Sequence, residues 1–218
     1  MTRNYLDKDL ANLHDLILKM CELVVKSLND SIKSLRDQDT KLAEEVINLD
    51  DEIDRMEVEI ETACTRLIAL QQPAAKDLRL ITATFKIITD LERVADHGVD
   101  IAKITKRIYK EKYIKELIDI PRMGEIVTGM LKDSISAYMD EDMDRAREIS
   151  KRDDIVDALY SQIFRELLVL MMEDTKKIKQ STYFLLISQY IERVADHVTN
   201  ICESIIYMVS GEHTDLNE

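Results

Sequence analysis

The sequence predicts an all-α fold, two tandem three-helix bundles that arose by internal duplication. Three observations predict it. The chain has only 4 Gly and 2 Pro in 218 residues, far below average usage of about 7% and 5%, so few turns can be made and long helices follow. Apolar residues recur at alternating steps of four and three, the spacing of a buried helical seam. The hexapeptide Glu-Arg-Val-Ala-Asp-His occurs twice, at Glu92 to His97 and at Glu192 to His197. Aromatic residues make up 5% and Trp is missing, which leaves Leu, Ile, Val, Met and Ala to fill the core, as in helical bundles.

The first helix carries the seam Leu6, Leu10, Leu13, Ile17, Met20, Val24, continued by Leu28, Ile32 and Leu35. Asp39 is the expected N-cap of the second, whose seam is Leu42, Val46, Leu49, Ile53, Met56, Ile60, Ala63, Leu67, Leu70. Pro73 stands where a third helix would start, because its missing N–H costs nothing in a first turn. That helix has the seam Leu78, Ile81, Phe85, Ile88, Glu92, Ala95, Val99, Ala102, apolar except at Glu92. The charge-rich segment 106–120 joins the halves as either helix or loop. Pro121 marks a fourth helix over 121–140, and Asp142 caps a fifth over 142–173. The sixth spans 177–210 with the register Ile178, Ser181, Leu185, Ser188, Glu192, Ala195. The end, Gly211 to Glu218, reads as a frayed tail.

The halves align beyond the hexapeptide. Asp30-Ser31-Ile32 matches Asp133-Ser134-Ile135, Asp50-Asp51 matches Asp153-Asp154, and Asp54 matches Asp157, all at an offset of 103, whereas the hexapeptides are 100 apart. Three residues are therefore lost in the second copy, and the hairpin near Gln71 to Lys76 is where a length change is absorbed most easily. The expected domains are 1–112 and 113–218.

A net charge of −13 argues against general binding to nucleic acid or anionic lipid, both of which need a basic face. The three cysteines, Cys21, Cys64 and Cys202, lie in apolar helical stretches with no CxxC spacing, which favours buried thiols and a reducing compartment. No signal-peptide stretch is visible, and the longest apolar run, Leu167 to Met172, is too short to span a bilayer. A cytoplasmic protein is expected, reaching a membrane only through partners.

The acids carry the functional reading. Residues four apart share one helix face. Asp50 and Asp54 on the second helix face Glu92 and Asp96 on the third. Asp153 and Asp157 face Glu192 and Asp196 in the other half. Asp100 adds a rung to the first set, where the second has Asn200. Two like charges at 4 Å repel by about 4 kcal/mol at an effective dielectric near 20, and several such pairs rival a domain stability of about 5–15 kcal/mol. Protonation, arginine pairing or divalent cations can relieve this. Arg55, Arg93, Arg152 and Arg193 are near enough in sequence to make ion pairs, the bland alternative. Glu92 and Glu192 at seam positions, beside the small Ala95 and Ala195, favour cations. All-oxygen ligands suit Mg, Ca, Mn or Fe. His97 and His197 point about 100° away around the helix and are read as exposed or supporting groups before ligands. Gly98 is read as a tolerated weak spot before a required close approach.

This pattern resembles the PhoU family of phosphate-uptake regulators. The duplicated halves, the Asp50/Asp54 and Asp153/Asp157 pairs and the two ERVADH segments look like that family's repeated E(D)-x-x-x-D signature, and the match covers nearly the whole chain. The resemblance implies one multinuclear metal cluster per bundle, iron first, with zinc, manganese or another divalent cation as alternatives. The implied ligands are Asp50, Asp54, Glu92 and Asp96, then Asp153, Asp157, Glu192 and Asp196. It also implies a regulator that restrains phosphate uptake and phosphate-starvation signalling. Its partners would be the ATPase subunit of a phosphate ABC transporter and a phosphate-sensing histidine kinase. Self-association is left open. No nucleophile constellation or phosphate loop is present, so no enzyme is expected. A ferritin-like oxidase needs Glu-x-x-His on paired helices, and the chain has none. A metal-free helical scaffold is the remaining alternative.

Overall fold

The computed structural model describes residues 2–216, so Met1, Asn217 and Glu218, the ends of the expected leaderless start and frayed tail, lie outside it. Its α-helices are α1 (Thr2–Asp37), α2 (Thr40–Gln71), α3 (Ala75–Ile108), α4 (Asp119–Met139), α5 (Met143–Ser150), α6 (Asp153–Glu173) and α7 (Ile178–Ser210), with one 3-10 turn at Thr175–Lys177. Helices α1, α2 and α3 form one bundle. Helices α4 and α7, with α5 and α6 as the third rod, form the other.

The duplication is built into the turns. Helix α1 ends with Gln38 at φ 53° and α4 ends before Glu141 at φ 52°. In each case the amide of the residue after that left-handed one reaches back five residues, Asp39 N–H to Ser34 O at 2.9 Å and Asp142 N–H to Ala137 O at 2.9 Å. This is the Schellman arrangement, here without glycine. The same residue then caps the following helix. Asp39 accepts from the Lys41 and Leu42 amides, and Asp142 from the Arg145 amide. Core positions of α2 recur in α6 at the same offset of 103, with Ile53 and Val156, Met56 and Leu159, Ile60 and Ile163, Cys64 and Leu167 all buried.

The expected fifth helix over 142–173 is broken at Lys151 and Arg152. There the backbone tightens, and Arg152 N–H bonds Ile149 O at 3.0 Å. The Arg152 side chain reaches across to Asp133 of α4 at 2.6 Å. The break makes Asp153 the first residue of α6. Segment 109–118 is neither a continuous helix nor a loose loop. The Gln38 side chain donates to Tyr109 O and Glu111 O, Tyr113 O–H donates to Leu35 O at 2.6 Å, and the Ile114 amide donates to Gln180 Oε1.

The bundles are not separate cores. Helix α3 lies against α7, and α1 against α4, so one apolar core runs through both. Helices α3 and α7 are therefore buried on more than one face, which a single seam does not anticipate. Leu70 and Leu78, assigned to seams, are exposed at the α2–α3 hairpin, whereas Ala43 and Cys64 are buried. A fully buried contact, Thr84 Oγ1 to Tyr138 Oη at 3.1 Å, ties α3 to α4. Gly98 lies at a close approach of two helices. A Cβ there would meet Ser27 Oγ of α1 at 3.2 Å, so a larger residue would require the Ser27 side chain to shift.

All three cysteines are buried free thiols, and burial pushes each thiol up to about 12. Among the described residues no helix is long and apolar enough to cross a membrane.

Candidate metal centres

The antiparallel return of α2 onto α3 brings the first acid set to one height. Asp50 is half-buried. Burial, then repulsion from Asp54 and Asp96, pushes its carboxyl up to about 6. Glu92 is pushed up to about 7 by burial, then by Asp96, Glu57 and Asp54. Its side chain is 18% exposed. Glu92 thus sits at the margin of the core and not in its centre, where it can face both apolar neighbours and acids. Asp54 lies at the exposed edge. Asp100 is raised by burial and Asp96, and its nearest cation is Lys103 at 3.9 Å.

The second set repeats this on α6 and α7. Burial and repulsion from Asp157, Asp196 and Glu192 push Asp153 up to about 7. Glu192 and Asp196 are both raised, by burial first and then by acids of the same set. Asp153 Oδ1 is buried without a hydrogen-bond partner, an oxygen that costs free energy unless a proton or cation meets it. Asn200 looks elsewhere. Its amide donates to Asp90 Oδ1 at 3.3 Å, and it lines a cavity between α3 and α7.

Arginine relieves the first set only in part. Arg93 spans Glu92 at 3.4 Å and Asp96 at 3.1 Å, yet Glu92 stays well above its ordinary value. Among the described residues no three Asp, Glu, His or Cys side chains are drawn together closely enough to hold an ion as they stand. The clusters are carboxylate fields that repel, not finished cages. An ion would have to draw the oxygens inward. The donor chemistry fits that role, because every group is a hard oxygen, several are half-buried, and one buried oxygen is unpartnered. Asp50, Asp54, Glu92 and Asp96 would hold one set of ions and Asp153, Asp157, Glu192 and Asp196 the other.

One acid was missed. Glu57 is raised by burial and by Glu61 and Asp54, and it repels Glu92. It lies three residues past Asp54, so the spacing Asp50, Asp54, Glu57 was available as a signal. Its repeat counterpart is Tyr160, and no repeat-based search finds it.

The histidines face the inter-bundle contact. His97 stacks on Tyr190 with 5.5 Å between ring centroids and lies 5.7 Å from His197. His197 Nδ1 meets Asp90 Oδ1 at 2.9 Å. Burial first, then His197 and Arg193, lowers His97 to about 4. Both rings therefore pack between α3 and α7 behind the acids.

These shifts set a pH dependence. A carboxyl whose folded pKa is raised binds its proton more tightly in the folded chain, so stability falls as pH climbs from the ordinary value near 4 through the folded value. Seven carboxyls shift this way. His14 and His97 shift down and act oppositely below about 6.5, but they are two against seven. The melting temperature of chelator-treated protein should fall between pH 5 and pH 7.5, and a divalent cation should abolish the fall. A flat profile in chelator would show the acids already neutralised by protein groups.

Comparison with known proteins places this architecture. The PhoU domain model matches residues 17–105 and 120–205. A phosphate-specific transport system accessory protein PhoU homolog of Clostridium acetobutylicum is 48% identical over 219 residues, covering 100% of both chains. The homolog of Deinococcus radiodurans is 35% identical over 153 residues, 70% of this chain and 72% of that one. The crystal structure of PhoU from Pseudomonas aeruginosa superposes with a TM-score of 0.91 at 33% identity, over 94% of this chain and 99% of that chain. The phosphate transport system regulatory protein PhoU of Streptococcus pneumoniae gives 0.89 at 31% identity, over 96% and 99%. With both repeats matched and the whole length aligned to a close relative, this chain belongs to the PhoU family.

Proposed function

We propose that this protein is a cation-binding accessory regulator of phosphate transport. It restrains uptake and starvation signalling by contact with the transporter's ATPase subunit and the phosphate-sensing kinase. The observation that carries the reading is the pair of half-buried acid fields, repeated at matching places in both halves of a PhoU chain. Each bundle would hold one multinuclear cluster, iron first, with zinc or manganese as alternatives. A bound cation supplies the positive charge that lets these carboxylates stay ionised in a half-buried setting.

Contact is supported by the outer face of α6. Phe164, Leu168, Val169 and Met172 are 43%, 46%, 53% and 79% exposed. Their counterparts on α2 are Glu61, Thr65, Arg66 and Ala69. The fold therefore tolerates polar groups at these positions, and a contiguous run of exposed apolar side chains on one helix face is a surface that serves binding.

Purified protein should bind the transporter ATPase subunit and the kinase's cytoplasmic part in a pull-down. Phe164→Glu with Leu168→Glu should weaken that binding at least tenfold at unchanged helicity. Elemental analysis of protein purified without added metal tests the cation reading separately. No captured partner in either case would remove the contact mechanism. Metal-free protein that takes up no Fe, Mn or Zn would favour the scaffold reading, for which Arg93 already bridges Glu92 and Asp96.

A further inference from the structure

The exposed apolar face of α6 holds one charge. Arg165 is the sole basic residue of this helix, and at about 100° per residue it points within about 60° of Leu168, Val169 and Met172. Phe164 borders it. The polar side chains that flank this face are engaged within the fold. Glu166 pairs with Lys115 of the connecting segment, Glu173 meets Lys177 at 3.5 Å, and the Gln162 amide donates to Asp119 at 3.4 Å. Arg165 is exposed and, among the described residues, its side chain has no ion pair or hydrogen-bond partner. Its neighbours three and four residues away are Ser161, Gln162, Leu168 and Val169, so no carboxylate of α6 stands one turn from it on its own face. Its repeat counterpart is Thr62, so the fold itself calls for no charge at this position.

We propose that Arg165 is the anchor of the partner contact on α6, and that the partner protein meets it with a carboxylate set in an apolar surface. The proposal rests on the contact reading above and adds the chemistry of the partner. An apolar surface closing on Leu168, Val169 and Met172 takes the guanidinium between them out of water. A cation covered in this way is costly unless an anion meets it. A planar guanidinium binds a carboxylate through two parallel N–H bonds, which fix orientation as well as strength. Arginine ringed by apolar groups that exclude water is the setting in which a few interface residues carry most of the binding energy. A wholly apolar partner, or one with a cation at this point, is rejected, so Arg165 selects among surfaces. An anionic membrane calls for several clustered basic residues, whereas α6 offers one beside Asp153, Asp154, Asp157, Glu166 and Glu173.

Titration calorimetry of the full-length protein against the purified transporter ATPase subunit and, separately, the kinase's cytoplasmic part tests this. Arg165→Met keeps the apolar bulk of the side chain and removes its charge. It should weaken binding about thirtyfold, the effect of roughly 2 kcal/mol, and Arg165→Glu should weaken it further. Helicity and melting temperature should not change in either variant, because the side chain is exposed and unpaired. Arg165→Lys should recover part of the loss, since the charge returns without the planar fork. Added salt should weaken the parent's binding more steeply than that of Arg165→Met. Equal affinity of Arg165→Met and the parent, while Phe164→Glu with Leu168→Glu still weakens binding, would overturn this proposal and leave the contact reading standing. No binding by the parent, or unchanged binding by every variant, would overturn the contact reading itself. Capture of the parent by phosphatidylglycerol vesicles, or a parent dimer that Arg165→Glu dissociates, would give Arg165 a different occupant and overturn the proposal.

Discussion

In chelator at pH 7.5, Asp50→Ala combined with Glu92→Ala should melt at a higher temperature than the parent protein, and should then gain only about half as much when a divalent cation is added. The first half of this result follows from repulsion. Asp50 and Glu92 are both held well above their ordinary values by burial and by Asp54, Asp96 and Glu57, so deleting them removes a cost that the metal-free fold bears. The second half follows from mass action. A cation at 100 times its dissociation constant stabilises by about 2.7 kcal/mol per site, so two sites give roughly 5 kcal/mol. At about 2–4 °C per kcal/mol for a chain of this size, the parent should gain on the order of 10–20 °C and the variant half of that. Differential scanning calorimetry with paired elemental analysis reads both. The second cluster should stay loaded, because its acids Asp153, Asp157, Glu192 and Asp196 come from α6 and α7 and not from α2 or α3. Loss of metal from both clusters together would mean the sites are coupled through the α3–α7 contact.

Phe184→Ala should cost about 3–5 kcal/mol, a large share of a stability of about 5–15 kcal/mol, and lower the melting temperature by on the order of 10 °C. Phe184 is fully buried near the start of α7, and its ring meets Tyr113 edge-on with 5.2 Å between centroids. Tyr113 in turn donates to Leu35 O at the end of α1. The substitution therefore opens a core cavity and loosens the segment that joins the bundles. Hydrogen exchange should show the loss concentrated in 109–118 and the first turns of α7. A drop below 1 kcal/mol, by chemical denaturation, would show that neighbouring side chains collapse into the space.

Much of the fold was legible because helical periodicity and capping are local. Asp39 and Asp142 were visible as caps, and both cap. The seams of α1 and the middle of α2 were visible, and Leu13, Ile17, Met20, Val24, Ile53, Met56 and Ile60 are buried. The paired acids were visible because a spacing of four residues places side chains on one face whatever surrounds them. Other features were not legible, and each depends on a distant segment. The break before Asp153 accompanies a contact between Arg152 and Asp133. The role of Gly98 depends on Ser27 in another helix. Glu57 joins the first cluster only because Glu92 stands opposite. His97 and His197 meet only because α3 lies on α7.

The amino-acid order by itself determined an all-helical, twice-repeated chain with two acid sets at matching places, since helix formation, capping and same-face spacing act over a few residues. Only the tertiary structure decided which helix faces meet, that the two bundles share one core, and that the chain after Gly211 returns onto α7, where the Leu216 amide donates to Glu203. Those outcomes depend on how whole surfaces fit together, and side-chain packing between segments far apart in sequence leaves no periodic trace in either segment alone.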